Sequence, residues 1–198
     1  MRGASLRQTQ WHRHINAVNA PPALRHWLGG GGSLTAKLKA HSGSFRVQCL
    51  RQRTARCLTD EAGALGMARA GRVWEREVLL RCDNRPAVYA HTVVPTAATA
   101  SDWPLFSALG ERSLGSTLFG DRLVRRGALE FARLRAGHPL ILRALAALGA
   151  AAHEEQILYA RRCLYRRRQG LLLVTEVFLP AVLELARPVA SEILMNRL

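Results

Sequence analysis

The chain has 198 residues, 48% hydrophobic and 22% charged, and its 29 Lys and Arg outnumber 14 Asp and Glu to give a formal charge of +15. That apolar share excludes wholesale disorder, and the length suits one domain that buries its own core without a metal or disulfide staple. No run approaches the roughly 18 apolar residues of a membrane span, the first residues lack the apolar stretch of a signal peptide, and the four cysteines include no Cys-x-x-Cys pair; a cytoplasmic protein with reduced thiols is expected.

Residues 1–20 carry little periodicity and read as a flexible leader. Pro21-Pro22 opens a short helix, Ala23 to Leu28, which Gly29-Gly30-Gly31-Gly32 ends. Ser33 is a natural N-cap for a second helix starting at Leu34, whose first amides lack intrahelical partners and attract anions. Phe45, Val47 and Cys49 alternate with Arg46, Gln48 and Leu50 as a strand with one face better suited to burial. Arg72 to Cys82 and Ala87 to Val94, joined by Asp83-Asn84-Arg85-Pro86, read as a β-hairpin. On its first strand Trp74, Arg76, Val78 and Leu80 share a face, so Arg76 is set among residues that bury, and a buried guanidinium needs an anion. Glu75 and Glu77 point to the other face and cannot supply it.

Ser101-Asp102-Trp103-Pro104 signals a helix over Leu105 to Leu109, and Ser113 caps another over Leu114 to Phe119, with amide donors again free near Leu114. Gly127 to Leu134 alternates as a strand, with Leu129 and Phe131 on one face. Pro139 to Ala152 is Ala- and Leu-rich and helical. Ile157 to Tyr165 and Leu171 to Leu179 form a last hairpin about Arg168-Gln169-Gly170, on which Leu172, Val174, Glu176 and Phe178 share a face. Glu176 thereby repeats the anomaly of Arg76, because a carboxylate in such surroundings is costly unless paired, hydrogen-bonded or protonated. Hairpins with short helices between them imply an α+β fold built on a single antiparallel β-sheet. The domain spans 21–180 with a helical insertion near 139–156, and 181–198 is a C-terminal extension, helical until Pro188.

The basic charge invites a nucleic-acid reading, but the arginines run from Arg2 to Arg197. The one dense group, Arg161, Arg162, Arg166, Arg167 and Arg168, falls in a strand-like segment with no aromatic-rich nucleic-acid motif, which suits a solvated surface better. The seven histidines, His12, His14, His26, His41, His91, His138 and His153, show no metal-ligand spacing, and no Gly-x-Ser-x-Gly elbow is present.

Four segments occur in order: Trp74-Glu75-Arg76-Glu77-Val78-Leu79-Leu80; Thr92-Val93-Val94-Pro95; Leu109-Gly110 with Ser113-Leu114-Gly115 and Leu118-Phe119; and Thr175-Glu176-Val177-Phe178-Leu179-Pro180. Together with Tyr159-Ala160-Arg161-Arg162-Cys163, this ordered set resembles the chorismate pyruvate-lyase family over roughly residues 23–180. The resemblance implies an enzyme that converts chorismate to 4-hydroxybenzoate and pyruvate at the entry to ubiquinone synthesis, without cofactor or metal. It also implies an internal ligand cavity, over which the short helices act as flaps; a monomer with small-molecule partners is expected, with no nucleic acid and no membrane span. Carried over residue by residue, it makes Arg76 and the backbone amides of Leu34 and Leu114 the holders of the ring carboxylate and Glu176 the partner of the 4-hydroxyl, with Arg76 and Glu176 as catalytic residues. Leu34 stands where better-known relatives carry Met, His91 where they often carry Arg, and Cys163 where the Arg-Arg element usually ends in a hydroxyl residue. The alternative is a non-catalytic sensor of aromatic acids, because ligand-binding domains of some helix-turn-helix repressors share the fold. Against it, the 20 residues ahead of the domain are expected to be too few for a DNA-binding unit.

Overall fold

A computed structural model describes residues 9–99, 101–151 and 155–185. Six strands, β1 (Phe45–Arg56), β2 (Arg72–Cys82), β3 (Arg85–Pro95), β4 (Val124–Arg135), β5 (Ile157–Arg167) and β6 (Gly170–Phe178), form one sheet in the order β1-β2-β3-β6-β5-β4. Every neighbouring pair is antiparallel. Two three-stranded meanders thus meet along a β3–β6 seam, as the expected single-sheet α+β architecture requires. Both hairpins form where the turn residues place them. Asp83 and Asn84 take the left-handed conformations of a two-residue turn, with φ of 48° and 61°.

Period-2 alternation sorts the side chains into two layers. One face carries Val78, Leu80, Val88, Ala90 and Phe178, over which lie α1 (Pro22–Leu28) and α2 (Leu34–Ala40), and α5 (Leu114–Gly120) leans on α2. The other carries Leu79, Tyr89, Ala132, Leu134 and Val177 under α6 (Pro139–Ala147), with α3 (Thr59–Ala64) beside it over Val73, Val93 and Leu173. A single turn, α4 (Thr96–Thr99), follows β3. Among the described residues no helix is long and apolar enough to cross a membrane.

Three expectations change. Residues 9–20 are not a loose leader: His12 bridges Phe131 in both directions at 2.8 Å, the Trp11 indole donates to Asp60 at 2.7 Å, and Val18 and Ala20 are buried. The leader lacked periodicity because it docks as an irregular segment and a 3-10 turn (Ile15–Val18) rather than as a regular element. Leu105 to Leu109 is a chain of turns closed by i→i+3 bonds such as Phe106 N–H to the Trp103 carbonyl at 3.0 Å. Its apolar residues Trp103, Phe106 and Leu109 recur every third position, and a three-residue turn period buries all of them where an α-helix would fan them apart. The insertion helix stops at Ala147, because Gly149 adopts φ 67° just beyond it. Of the C-terminal extension, Pro180–Glu184 is a 3-10 turn, while 186–198, like His153, lies outside the described residues.

Candidate active site

A cavity opens between the sheet and the helices α2 and α5, with about 640 Å³ of empty space including its mouth. All four residues singled out in the sequence line it: Leu34, Arg76, Leu114 and Glu176. Its floor is built from rows of cross-strand neighbours. Val78, Ala90, Glu176, Arg161 and Phe131 follow one another across β2, β3, β6, β5 and β4; Arg76, Thr92, Val174, Cys163 and Leu129 form the adjacent row. Arg76 and Glu176 therefore stand two strands and two residues apart, roughly 12 Å between Cα atoms on ideal sheet spacings. That is too far for them to neutralise each other and leaves room for a planar ring between their side chains.

Arg76 is 2% exposed. Its Nη2 donates to the carbonyls of Gly110 at 2.8 Å and Arg112 at 2.9 Å, and its Nε is buried without a partner. Carbonyls orient the guanidinium but do not cancel its charge, and burial pulls its pKa below the usual arginine value. Among the described residues, no carboxylate pairs with this buried cation. The Gly110 and Arg112 contacts also tie it to the loop that leads into α5.

The two helix starts flank it. Ser33 caps α2, its hydroxyl accepting from the Ala36 amide at 3.3 Å, as the sequence suggests. Ser113 has the extended backbone of an N-cap but makes no such bond; its hydroxyl meets the Thr35 hydroxyl at 2.9 Å, so the N-termini of α2 and α5 are joined directly. Gly115 permits the approach, since a Cβ there would lie 3.2 Å from both the Ser33 and the Thr35 oxygens.

Glu176 is not alone. Its carboxylate accepts from Arg161 Nε at 2.6 Å, and Arg161 Nη1 donates to the carbonyls of Trp27, Leu28 and Gly29. The pair shares one row of the sheet and binds the C-terminus of α1 to it. Arg161, 3% exposed, is the cavity-lining residue that composition misjudged: it and Arg162 (8%) are buried on opposite faces rather than solvated. The signal was available, because the turn at 168–169 pairs Arg167 with Gly170, and counting back sets Arg161 opposite Glu176. Further along the floor, burial raises the pKa of the Cys163 thiol and the Tyr165 phenol, leaving both protonated near neutral pH.

The family model for chorismate lyase matches residues 5–187. The chain belongs to the chorismate lyase family. It is 50% identical over 181 residues to a probable chorismate pyruvate-lyase of Cupriavidus pinatubonensis, covering 89% of this chain and 91% of that one. It is 52% identical over 157 residues to one of Ralstonia nicotianae, covering 79% and 80%. Among solved structures, the effector domain of PhnF from Mycobacterium smegmatis shares the fold, with a TM-score of 0.54 at 18% identity over 77% of this chain and 91% of that one.

The face away from this lyase-family cavity carries a second set of charges that sequence reasoning did not assemble. His91, 1% exposed, meets the Glu61 carboxylate at 2.8 Å and that of Glu75 at 3.3 Å, and Arg143 of the insertion helix donates to Glu75 at 3.2 Å and Glu77 at 2.9 Å. Burial disfavours the imidazolium, but the Glu61 charge and the bonds to Glu61 and Glu75 outweigh it and raise His91 to about 9. Burial likewise works against ionised Glu75, and hydrogen bonds from His91 and Arg53 overcome it and hold the carboxyl at about 2. Glu75, Glu77 and His91 bring ligand-type atoms within 4.8 Å of one another, yet the Arg143 guanidinium bonds both carboxylates, so side-chain cations already serve them. Its arrangement is that of a structural network, which explains what the insertion helix contributes.

Proposed function

We propose that this chain converts chorismate to 4-hydroxybenzoate and pyruvate. The observation that carries the proposal is the pair of unlike poles in one cavity: an uncompensated Arg76 beside two helix starts, and a Glu176 carboxylate fixed by Arg161 roughly 12 Å away. A flat ring with a carboxylate at one end and a hydroxyl at the other complements that pattern. Arg76 and the Leu34 and Leu114 amides take the ring carboxylate, and Glu176 accepts the hydrogen bond of the 4-hydroxyl.

Chorismate then loses its C4 hydrogen as a proton, the C–H electron pair becomes the last ring double bond, and the C3–O bond breaks with its pair leaving on enolpyruvate, which gains a proton to become pyruvate. Aromatisation drives the step. The protein's share is to hold the ring so that the C4–H and C3–O bonds are both ready, in a site whose dipoles are already oriented. Glu176, immobilised by Arg161, is the group nearest in role to C4, as orienting acceptor or as base. The 4-hydroxybenzoate would feed ubiquinone synthesis in the cytoplasm, and the same reading takes the protein as a monomer without nucleic-acid partners.

The test is direct. Purified protein incubated with chorismate should develop 4-hydroxybenzoate absorbance and an equal amount of pyruvate, and Glu176→Gln should lower turnover while Arg76→Ala raises KM. The fold shared with the effector domain of PhnF favours one other reading, a sensor of aromatic acids. Tight 4-hydroxybenzoate binding with no product from chorismate would favour the sensor and overturn the lyase.

A further inference from the structure

Arg126 reaches the cavity for a reason that a regular strand does not supply. In β4, Arg126 pairs with Tyr165 and Leu129 with Cys163, so Gly127 and Ala128 together oppose the single residue Leu164. This bulge turns Arg126 to the face of Leu129 and Phe131, although strict alternation assigns it to the other. Gly127 makes the bulge possible, because a Cβ there would stand 2.9 Å from the Leu164 carbonyl oxygen.

The side chain so delivered is only partly satisfied. Arg126 Nη1 donates to the Gly31 carbonyl and its guanidinium lies 5.9 Å from the centre of the Phe119 ring, while its Nε is buried without a partner. The carboxylates in this region are already taken, Asp121 by Arg167, Glu130 by Arg162 and Glu176 by Arg161. The charged residues lining the cavity are Arg76, Arg126, Arg161 and Glu176, and once Arg161 and Glu176 cancel, two positive charges remain. One ring carboxylate accounts for Arg76. A second anionic group is needed for Arg126.

We propose that Arg126 binds the second carboxylate of the substrate, the one on the enolpyruvyl side chain; this rests on chorismate being the substrate. Strand order supports the direction. With the ring carboxylate at Arg76 on β2 and the 4-hydroxyl at Glu176 on β6, the side chain on the neighbouring carbon C3 lies at the far end of the ring, toward β5 and β4, where Arg126 stands. Arg126 is thus a substrate-binding residue for the group that departs. After C3–O cleavage its anion leaves as pyruvate, and 4-hydroxybenzoate keeps only the contacts at Arg76 and Glu176.

The experiment compares substrate with product. For Arg126→Gln, kcat/KM for chorismate should fall roughly 10- to 150-fold, the range of a lost charged hydrogen bond, while the Kd of 4-hydroxybenzoate by calorimetry stays within about 3-fold of wild type. Arg126→Lys, which keeps the charge but not the planar fork, should fall between the two, and it decides the matter by the same comparison if Arg126→Gln does not fold. Equal losses for substrate and product would mean that Arg126 only latches the Gly31 and Phe119 segments, and would overturn the assignment. Unchanged kcat/KM would overturn it too. A wild-type protein that makes no 4-hydroxybenzoate removes the lyase reading itself, and this inference with it.

Discussion

Replacing Arg161 by Met keeps much of the side-chain volume and removes only the cation. Its Nε faces Glu176 at 2.6 Å and its Nη1 serves the Trp27, Leu28 and Gly29 carbonyls, at 3% exposure. Removing one partner of a buried ion pair costs about 3–5 kcal/mol. The Glu176 side chain is 19% exposed, so water reaches it in part, and the lower end, about 3 kcal/mol, applies. The three carbonyls lose a charged donor as well, which loosens the end of α1. Urea unfolding followed by tryptophan fluorescence measures the loss, with Trp27 reporting from the affected helix. Arg161→Met/Glu176→Gln should recover about 1–2 kcal/mol, because a neutral amide is less costly there than an unpaired carboxylate. A single-variant loss under about 1 kcal/mol, or a double variant no better than the single, would refute the claim that the pair is an internal fixture of the cavity.

Two further outcomes follow from the same geometry. His91 has its folded pKa raised to about 9 from 6.5, so its contribution is complete below pH 6.5 and disappears as pH rises through 9. Stability should therefore fall by roughly 3 kcal/mol across that window, and His91→Gln should flatten the decline; urea midpoints measured from pH 6 to 10 that fall equally in both proteins would count against it. Gly127→Val forces a branched side chain against the Leu164 carbonyl, 2.9 Å from the Cβ position, and should cost about 1–3 kcal/mol while weakening chorismate use through displaced Arg126. A variant with wild-type stability and wild-type kcat/KM would show that the bulge is not what positions Arg126.

The fold and the two poles of the site were legible because local rules hold where they lie. Alternation alone put Arg76 among Val78 and Leu80, serine caps placed the starts of α2 and α5, and the β5–β6 hairpin keeps one register from Arg167–Gly170 to Tyr159–Phe178. What stayed hidden depends on irregular backbone or on distant elements. A bulge at Leu80/Arg81 shifts the β2–β3 register by one, so counting back from the Asp83-Asn84 turn would set His91 opposite Arg76 on the cavity face instead of opposite Glu77 on the other. The partners Glu61 and Arg143 come from α3 and α6, 30 and 52 positions from His91, and no spacing rule reaches them. Arg126 was missed for a related reason: nothing in Arg125-Arg126-Gly127-Ala128 announces which residue a bulge will turn inward.

A crystal structure of the wild-type protein with 4-hydroxybenzoate tests the two-pole site most directly. The account predicts the carboxylate within hydrogen-bond distance of Arg76 and the Leu34 and Leu114 amides, with the phenolic oxygen on Glu176 and its Arg161 partner undisturbed. A ligand bound elsewhere, or lying in this cavity with its carboxylate turned toward Arg161 and away from Arg76, would contradict it.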